Sequence, residues 1–171
     1  MAKLFIQNLP SKEELKVSIN RLQEGVDTDA LHANLMFLKI ATELENHMDS
    51  HLAKYNLSIG RFTILCLLED NLEGLKPTDL SSQLGVTQAT MSGLVSGLEK
   101  NGLVQRKQHE MDGRAFLIHI TDKGRETLRE IFPRWSPSVE SFWNNFSSED
   151  KASLNSLLER MMNNTNILTR A

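Results

Sequence analysis

The side chains best suited to chemistry on a partner lie between Lys76 and Arg114. Thr87, Gln88, Ala89, Thr90, Ser92 and Gly93 occupy the opening turns of one short helix, a position from which small polar groups reach base edges in a DNA major groove. Gln88 can bond bidentately to an adenine edge, Ala89 can meet a thymine methyl, and Thr90 and Ser92 can donate to bases or phosphates. On an isolated helix the same residues would read as a cap and a solvated face. Farther along, Arg114 at a hairpin tip can enter a minor groove, where a narrow A·T tract concentrates negative potential. A plain Asp-Gly turn carrying a solvated arginine is the alternative there. Lys76, Arg106 and Lys107 are assigned to phosphates rather than to sequence, and Thr78 is placed in the same DNA-facing set.

Other chemistries find less support. His47 and His51 stand at i, i+4 with Glu43 one turn earlier, a spacing able to hold zinc, but no second cluster completes four ligands. Cys66 lies in an apolar run without a neighbouring cation to lower its pKa, so a core thiol is expected rather than a peroxide switch. Phosphate-cradling, nucleophile-elbow and dinucleotide motifs are absent, and Glu13-Glu14 belongs to a helix cap. No enzyme, no metal and no cofactor is expected.

The elements that must position these residues follow from capping and periodicity. Ser11-Lys12-Glu13-Glu14 is a capping box for a short helix ending near Gly25. Asp27 to Asp29 offers the cap of a longer helix to about Lys54, and Ser58 caps a third, Ile59 to about Asp70, apolar around most of its circumference. Pro77 suits the first position of a fourth helix, closed by Gly85. Thr87 then caps a fifth, stopped by Gly102 and burying Met91, Leu94, Val95 and Leu98. Only Gly85, Val86 and Thr87 separate the fourth and fifth helices, the spacing of a helix-turn-helix. The period then changes to two, giving strands at 104–110 and 115–121 joined by a turn at Met111 to Arg114. Thr121 caps a further helix in which Pro133 and Pro137 predict a kink or break. Ser147 to Asp150 opens the last helix.

Length and charge are compatible with this. With 171 residues, 40% hydrophobic and 24% charged, one globular domain or one with an added arm is expected. The apolar stretch at Phe62 to Leu68 falls far short of the roughly 20 residues of a membrane span, no secretory leader is read at the start, and the single cysteine suits a reducing compartment. A cytoplasmic protein without membrane contact is expected. The net charge is −3, yet residues 76–134 carry nine Lys/Arg against seven Asp/Glu. Because phosphate attraction is screened over about 8–10 Å, this local sign outweighs the total. Charge permits a DNA-binding middle without demonstrating one.

The ordered run of "RFTILCLLE", "PTDLSSQLGVTQATMSGLVSGLEKNGLVQR", "DGR" and "ITDKG" resembles the MarR family of bacterial transcriptional regulators, over about Ser58 to Leu128. The C-terminal stretch is more loosely similar to that family's drug-efflux repressors. The resemblance implies a mainly α fold with a small β-hairpin wing: an N-terminal extension and dimerisation helix (1–54), a winged helix-turn-helix (55–128) and C-terminal dimerisation helices (129–171). It implies an intertwined homodimer, with Phe132, Trp135, Phe142, Trp143, Leu154, Leu158 and Met161 at the dimer surface, reading palindromic double-stranded DNA. It gives Asp112 the task of holding Arg114. It also implies release by a small phenolic or lipophilic effector, for which Phe37, Ile40, Arg61, Phe62 and Leu65 are candidates, although core packing explains them equally. Related sequences often carry arginine where this chain has Gly93 and a basic residue near Gly97. Glycine there costs about 0.5–1 kcal/mol of helix stability per position and admits close approach of DNA or a neighbouring helix. A winged-helix assembly module, or a metal- or thiol-sensing regulator on the same fold, are the competing classes.

Overall fold

The computed structural model of the chain describes residues 8–109, 112–165 and 167, with the backbone alone at 109 and 112–115. Helix α1 (Lys12–Asn20) opens on the expected capping box, in which Ser11 Oγ accepts from the Glu14 N–H at 3.2 Å and Glu14 Oε2 accepts from the Ser11 N–H at 2.8 Å. It stops short of Gly25 because the N–H groups of Leu22 and Gln23 both turn back to the Ile19 carbonyl, at 2.8 and 2.9 Å. Helix α2 (Thr28–Leu52) is capped by Asp27 and buries only Leu52; a 3₁₀ turn, Ala53–Tyr55, follows. A Lys12–Asp29 ion pair of 2.9 Å joins the starts of α1 and α2.

The core gathers around α3 (Ile59–Asp70), whose Phe62, Ile64, Leu65 and Leu68 are buried as its nearly all-round apolar surface predicts. Each such side chain contributes about 1.5–3 kcal/mol on removal from water. Leu80 of α4 (Pro77–Leu84) and Met91, Val95 and Leu98 of α5 (Gln88–Lys100) are buried as well. Leu94, expected inside, is half-buried: a Cβ on Gly60 of α3 would stand 3.4 Å from its Cδ1. Gly85 takes φ +64° between α4 and α5, the left-handed conformation that lets its own N–H and that of Val86 close on the Ser82 and Ser81 carbonyls.

Strands β1 (Val104–His109) and β2 (Asp112–Ile120) form an antiparallel hairpin in which Val104 faces Ile120, Arg106 faces Ile118 and Gln108 faces Phe116. The register shifts between Gln108 and His109, so that His109 faces Asp112. This corrects the expected turn at Met111 to Arg114: a bulge absorbs extra residues, and Asp112, Gly113 and Arg114 belong to β2. Residues 110 and 111 lie outside the described residues. Leu75 makes an isolated bridge to β2, exchanging hydrogen bonds of 3.0 and 2.8 Å with Ile118. Gly74, at φ +79°, permits this approach; a Cβ there would lie 2.7 Å from the His119 ring and 2.8 Å from the Ile118 carbonyl oxygen.

Of the expected kink or break at Pro133 and Pro137, the break does not occur: helix α6 (Asp122–Trp143) runs through both prolines. Both prolines are exposed and, being four residues apart, lie on one face of the helix. Helix α7 (Ser148–Asn164) opens on a second capping box, Ser147 with Asp150, and buries no residue. The chain divides into two compact units, Met1–Thr127 and Leu128–Ala171. Among the described residues no helix is long and apolar enough to cross a membrane.

Candidate nucleic-acid interface

The opening of α5 is fixed by hydrogen bonds inside the helix-turn-helix. Thr87 Oγ1 accepts from the Thr90 N–H at 3.2 Å and lies 3.0 Å from the Thr90 hydroxyl, so both threonines serve the cap. The Gln88 amide nitrogen donates to Ser81 Oγ on α4, and Ser81 Oγ donates in turn to the Thr78 carbonyl at 2.8 Å. Ala89, Ser92 and Gly93 are exposed, and nothing lies within 4 Å of where a Gly93 Cβ would be. The sequence reading missed Ser81; the signal available was a hydroxyl on the apolar side of α4, one position after buried Leu80.

The flanking cations divide into two groups. Lys76 and Lys107 are exposed. Arg106 instead pairs with Glu99 of α5, Nε to Oε2 at 3.2 Å, and its guanidinium carbon stands 4.9 Å from the Phe116 ring centroid. That contact ties β1 to the end of α5 and competes with the phosphate role expected for Arg106. Thr78 is exposed at the start of α4, its hydroxyl 3.5 Å from Asp79 Oδ1. The side chains of Asp112 and Arg114 lie outside the described residues.

Gly97 has a neighbour rather than a void. A Cβ there would meet Arg61 of α3 at 2.4 Å from Nη2 and 2.8 Å from Cζ, so the guanidinium lies across α5 where the glycine admits it. Arg61 Nε is buried there without a hydrogen-bond partner. Of the other side chains considered for an effector, Phe62 and Leu65 belong to the core, whereas Phe37 and Ile40 are 43% and 49% exposed. Within the second unit, Phe142, Trp143 and Phe146 cluster in edge-to-face and tilted contacts with centroids 5.0–5.7 Å apart, and Phe132 meets Trp135 at 6.4 Å. Phe132, Phe142 and Met161 remain exposed, with Trp135, Trp143, Leu154 and Leu158 half-buried.

The sensing candidates are quickly located. Glu43 is engaged by Lys39 at 2.7 Å, which holds its carboxyl below the usual range. The His51 ring meets that of Tyr55 at a tilt, with centroids 6.0 Å apart. Among the described residues no three His, Cys, Asp or Glu side chains gather as a metal site would require. Burial, and then the charge of Asp70, push the Cys66 thiol up to about 11. At pH 7 the thiolate is then roughly one molecule in ten thousand, too rare for fast oxidation. Alkylation of the native protein by iodoacetamide should accelerate about tenfold per pH unit through pH 8–10. Half-maximal reaction near pH 8 would show an activated thiol instead.

Comparison with known proteins agrees with this geometry. A model of the MarR family matches residues 57–116. The HTH-type transcriptional repressor YetL of Bacillus subtilis is 33% identical over 128 residues, spanning 74% of this chain and 77% of that protein. A MarR protein from Peptoclostridium difficile superposes with a TM-score of 0.67 at 28% identity, covering 83% of this chain and 90% of that one. The structure of the S. aureus MepR–DNA complex gives a TM-score of 0.69 at 21% identity, over 76% of this chain and 96% of that one, a likeness of fold.

Proposed function

The chain belongs to the MarR family of DNA-binding transcriptional regulators, and on that premise we propose that it is a cytoplasmic repressor, without enzymatic activity, that binds a palindromic operator as a homodimer and is released by a small effector. The observation that carries the reading is the opening of α5, where Ala89, Ser92 and Gly93 stand exposed at the N-terminal end of the second helix of a helix-turn-helix, followed by a hairpin. A helix so presented fits the major groove, and a hairpin beside it fits the flanking minor groove. One such module makes few contacts, and a two-fold dimer doubles them on an inverted repeat. The exposed Phe132, Phe142 and Met161 of the terminal helices, with Phe37 and Ile40 of α2, supply the apolar surface such a dimer would cover. Repressor rather than activator rests on the likeness to YetL.

An effector acts only by favouring a dimer whose recognition helices are misspaced for the groove. A phenolic or lipophilic compound would meet Phe37 and Ile40 first, with Arg61 as the cation for an acidic group. Phe62 and Leu65, being core residues, would be reached through a change in packing.

Selection from random duplexes at two salt concentrations tests the reading. The expected product is an inverted repeat with half-sites about 10 bp apart, centre to centre, whose binding weakens with salt. Failure of a folded, dimeric preparation to enrich any duplex, with or without zinc and reductant, overturns it. A protein partner that engages the hairpin without DNA would then favour the assembly reading.

A further inference from the structure

The geometry points to Ser81, a residue of α4, as a positioning residue that sets which base Gln88 of α5 reads. The inference rests on the DNA-binding reading and adds to it a specificity determinant outside the recognition helix.

Ser81 is 5% exposed and is the buried polar side chain among the described residues. Its hydroxyl has one proton to give, and the Thr78 carbonyl, 2.8 Å away, has none. That proton therefore goes to Thr78, and Ser81 Oγ meets any second partner only as an acceptor. The second partner is the Gln88 side chain. An amide presents either a donor or an acceptor edge, and which one faces a neighbour is fixed by the network around it. Here an inward Gln88 Oε1 would oppose a lone pair, so the NH₂ group faces Ser81. Gln88 is exposed on the first residue of α5. Among the described residues no donor meets its Oε1, so an acceptor and one remaining N–H are left for a ligand.

That pairing of an acceptor with a donor is the one an adenine edge accepts, through its N6 amine and N7. A guanine edge offers two acceptors and would place O6 against Oε1. Holding the amide one way round thus selects adenine over guanine at that position. It also removes the entropy of two competing amide orientations before DNA arrives. Without the Ser81 hydroxyl the amide can turn over and present its donors outward, and preference at that step relaxes.

The experiment begins with the selected duplex and its variants carrying each of the four base pairs at every half-site position. Gln88→Ala locates the position read by Gln88 as the one where preference is lost. Ser81→Ala is then expected to lower adenine-over-guanine discrimination at that position by about tenfold, leaving preferences elsewhere unchanged. In the Gln88→Ala background, Ser81→Ala should change no preference. Thermal unfolding of each variant separates loss of specificity from loss of fold, since a merely structural Ser81 would weaken all duplexes alike. An unchanged four-base profile in folded Ser81→Ala overturns the inference, as does a Gln88→Ala protein that loses preference nowhere. In both cases wild-type binding stands, so the regulator reading survives. A wild-type protein that enriches no duplex overturns both.

Discussion

Gly124→Ala is expected to destabilise the protein by about 2–3 kcal/mol, net of the helix propensity that alanine gains. A Cβ at that position would lie 2.3 Å from the Leu103 carbonyl oxygen and 2.7 Å from Ile120 Cγ1. Neither neighbour can easily step aside. The Leu103 carbonyl accepts from the Thr121 N–H at 3.0 Å, and Ile120 is 4% exposed. Thr121 Oγ1 also donates to the Gly102 carbonyl at 2.7 Å and accepts from the Gly124 N–H at 3.1 Å. The end of α5, the end of β2 and the start of α6 are therefore tied at one point, and an added methyl must loosen it. For a chain of this size the expected fall in Tm is roughly 5–10 °C. A thermal unfolding scan that matches wild type within a degree or two would show that the first turn of α6 tilts away without loss.

For Arg114→Ala the expected result is weaker operator binding without loss of fold. Arg114 lies in β2, beyond the register shift at Gln108 and His109, and its side chain is outside the described residues. Its role is carried by the resemblance and by its place in the hairpin. An arginine in a narrow minor groove contributes about 1–3 kcal/mol, so affinity should fall roughly ten- to a hundredfold. The slope of log K against log salt should decrease by about one for each protomer on the site. Lys107→Ala, which removes a proposed phosphate contact, should reduce the slope with little change in sequence preference. Titrations at several salt concentrations separate the two effects. A folded, dimeric Arg114→Ala protein with unchanged affinity and slope removes the wing from the recognition scheme.

Local signals in the sequence carried the helices well. Ser11, Asp27, Ser58, Thr87 and Ser147 each cap the helix expected of them, because a cap depends on residues within one turn of chain. The change of period after Gly102 gave the hairpin for a similar reason. What escaped was set by contacts across the fold. Pro133 and Pro137 predicted a kink or break by local propensity, and α6 continues through both without breaking. Arg106 looked available until Glu99 and Phe116 were found beside it. Gly97 announced a close approach, but nothing in its surroundings along the chain named Arg61 as the group that makes it. The Ser81–Gln88 contact joins residues seven apart across a turn, and composition does not say that the two side chains meet.

Gly93 combines open space with a backbone conformation that any residue adopts, whereas Gly25 and Gly85, equally open, take a left-handed φ. Gly74, Gly97 and Gly124 each hold open a space that a neighbour already fills, whereas the space beyond Gly93 is empty to 4 Å. Substitution there meets no steric penalty and recovers about 0.5–1 kcal/mol of helix stability. On the proposed mode of DNA binding, any side chain installed at that position would project towards the groove from an unaltered scaffold. The regulator thus carries an unwritten character in its DNA-reading surface, and a single codon is enough to give descendants of this chain different addresses on a genome.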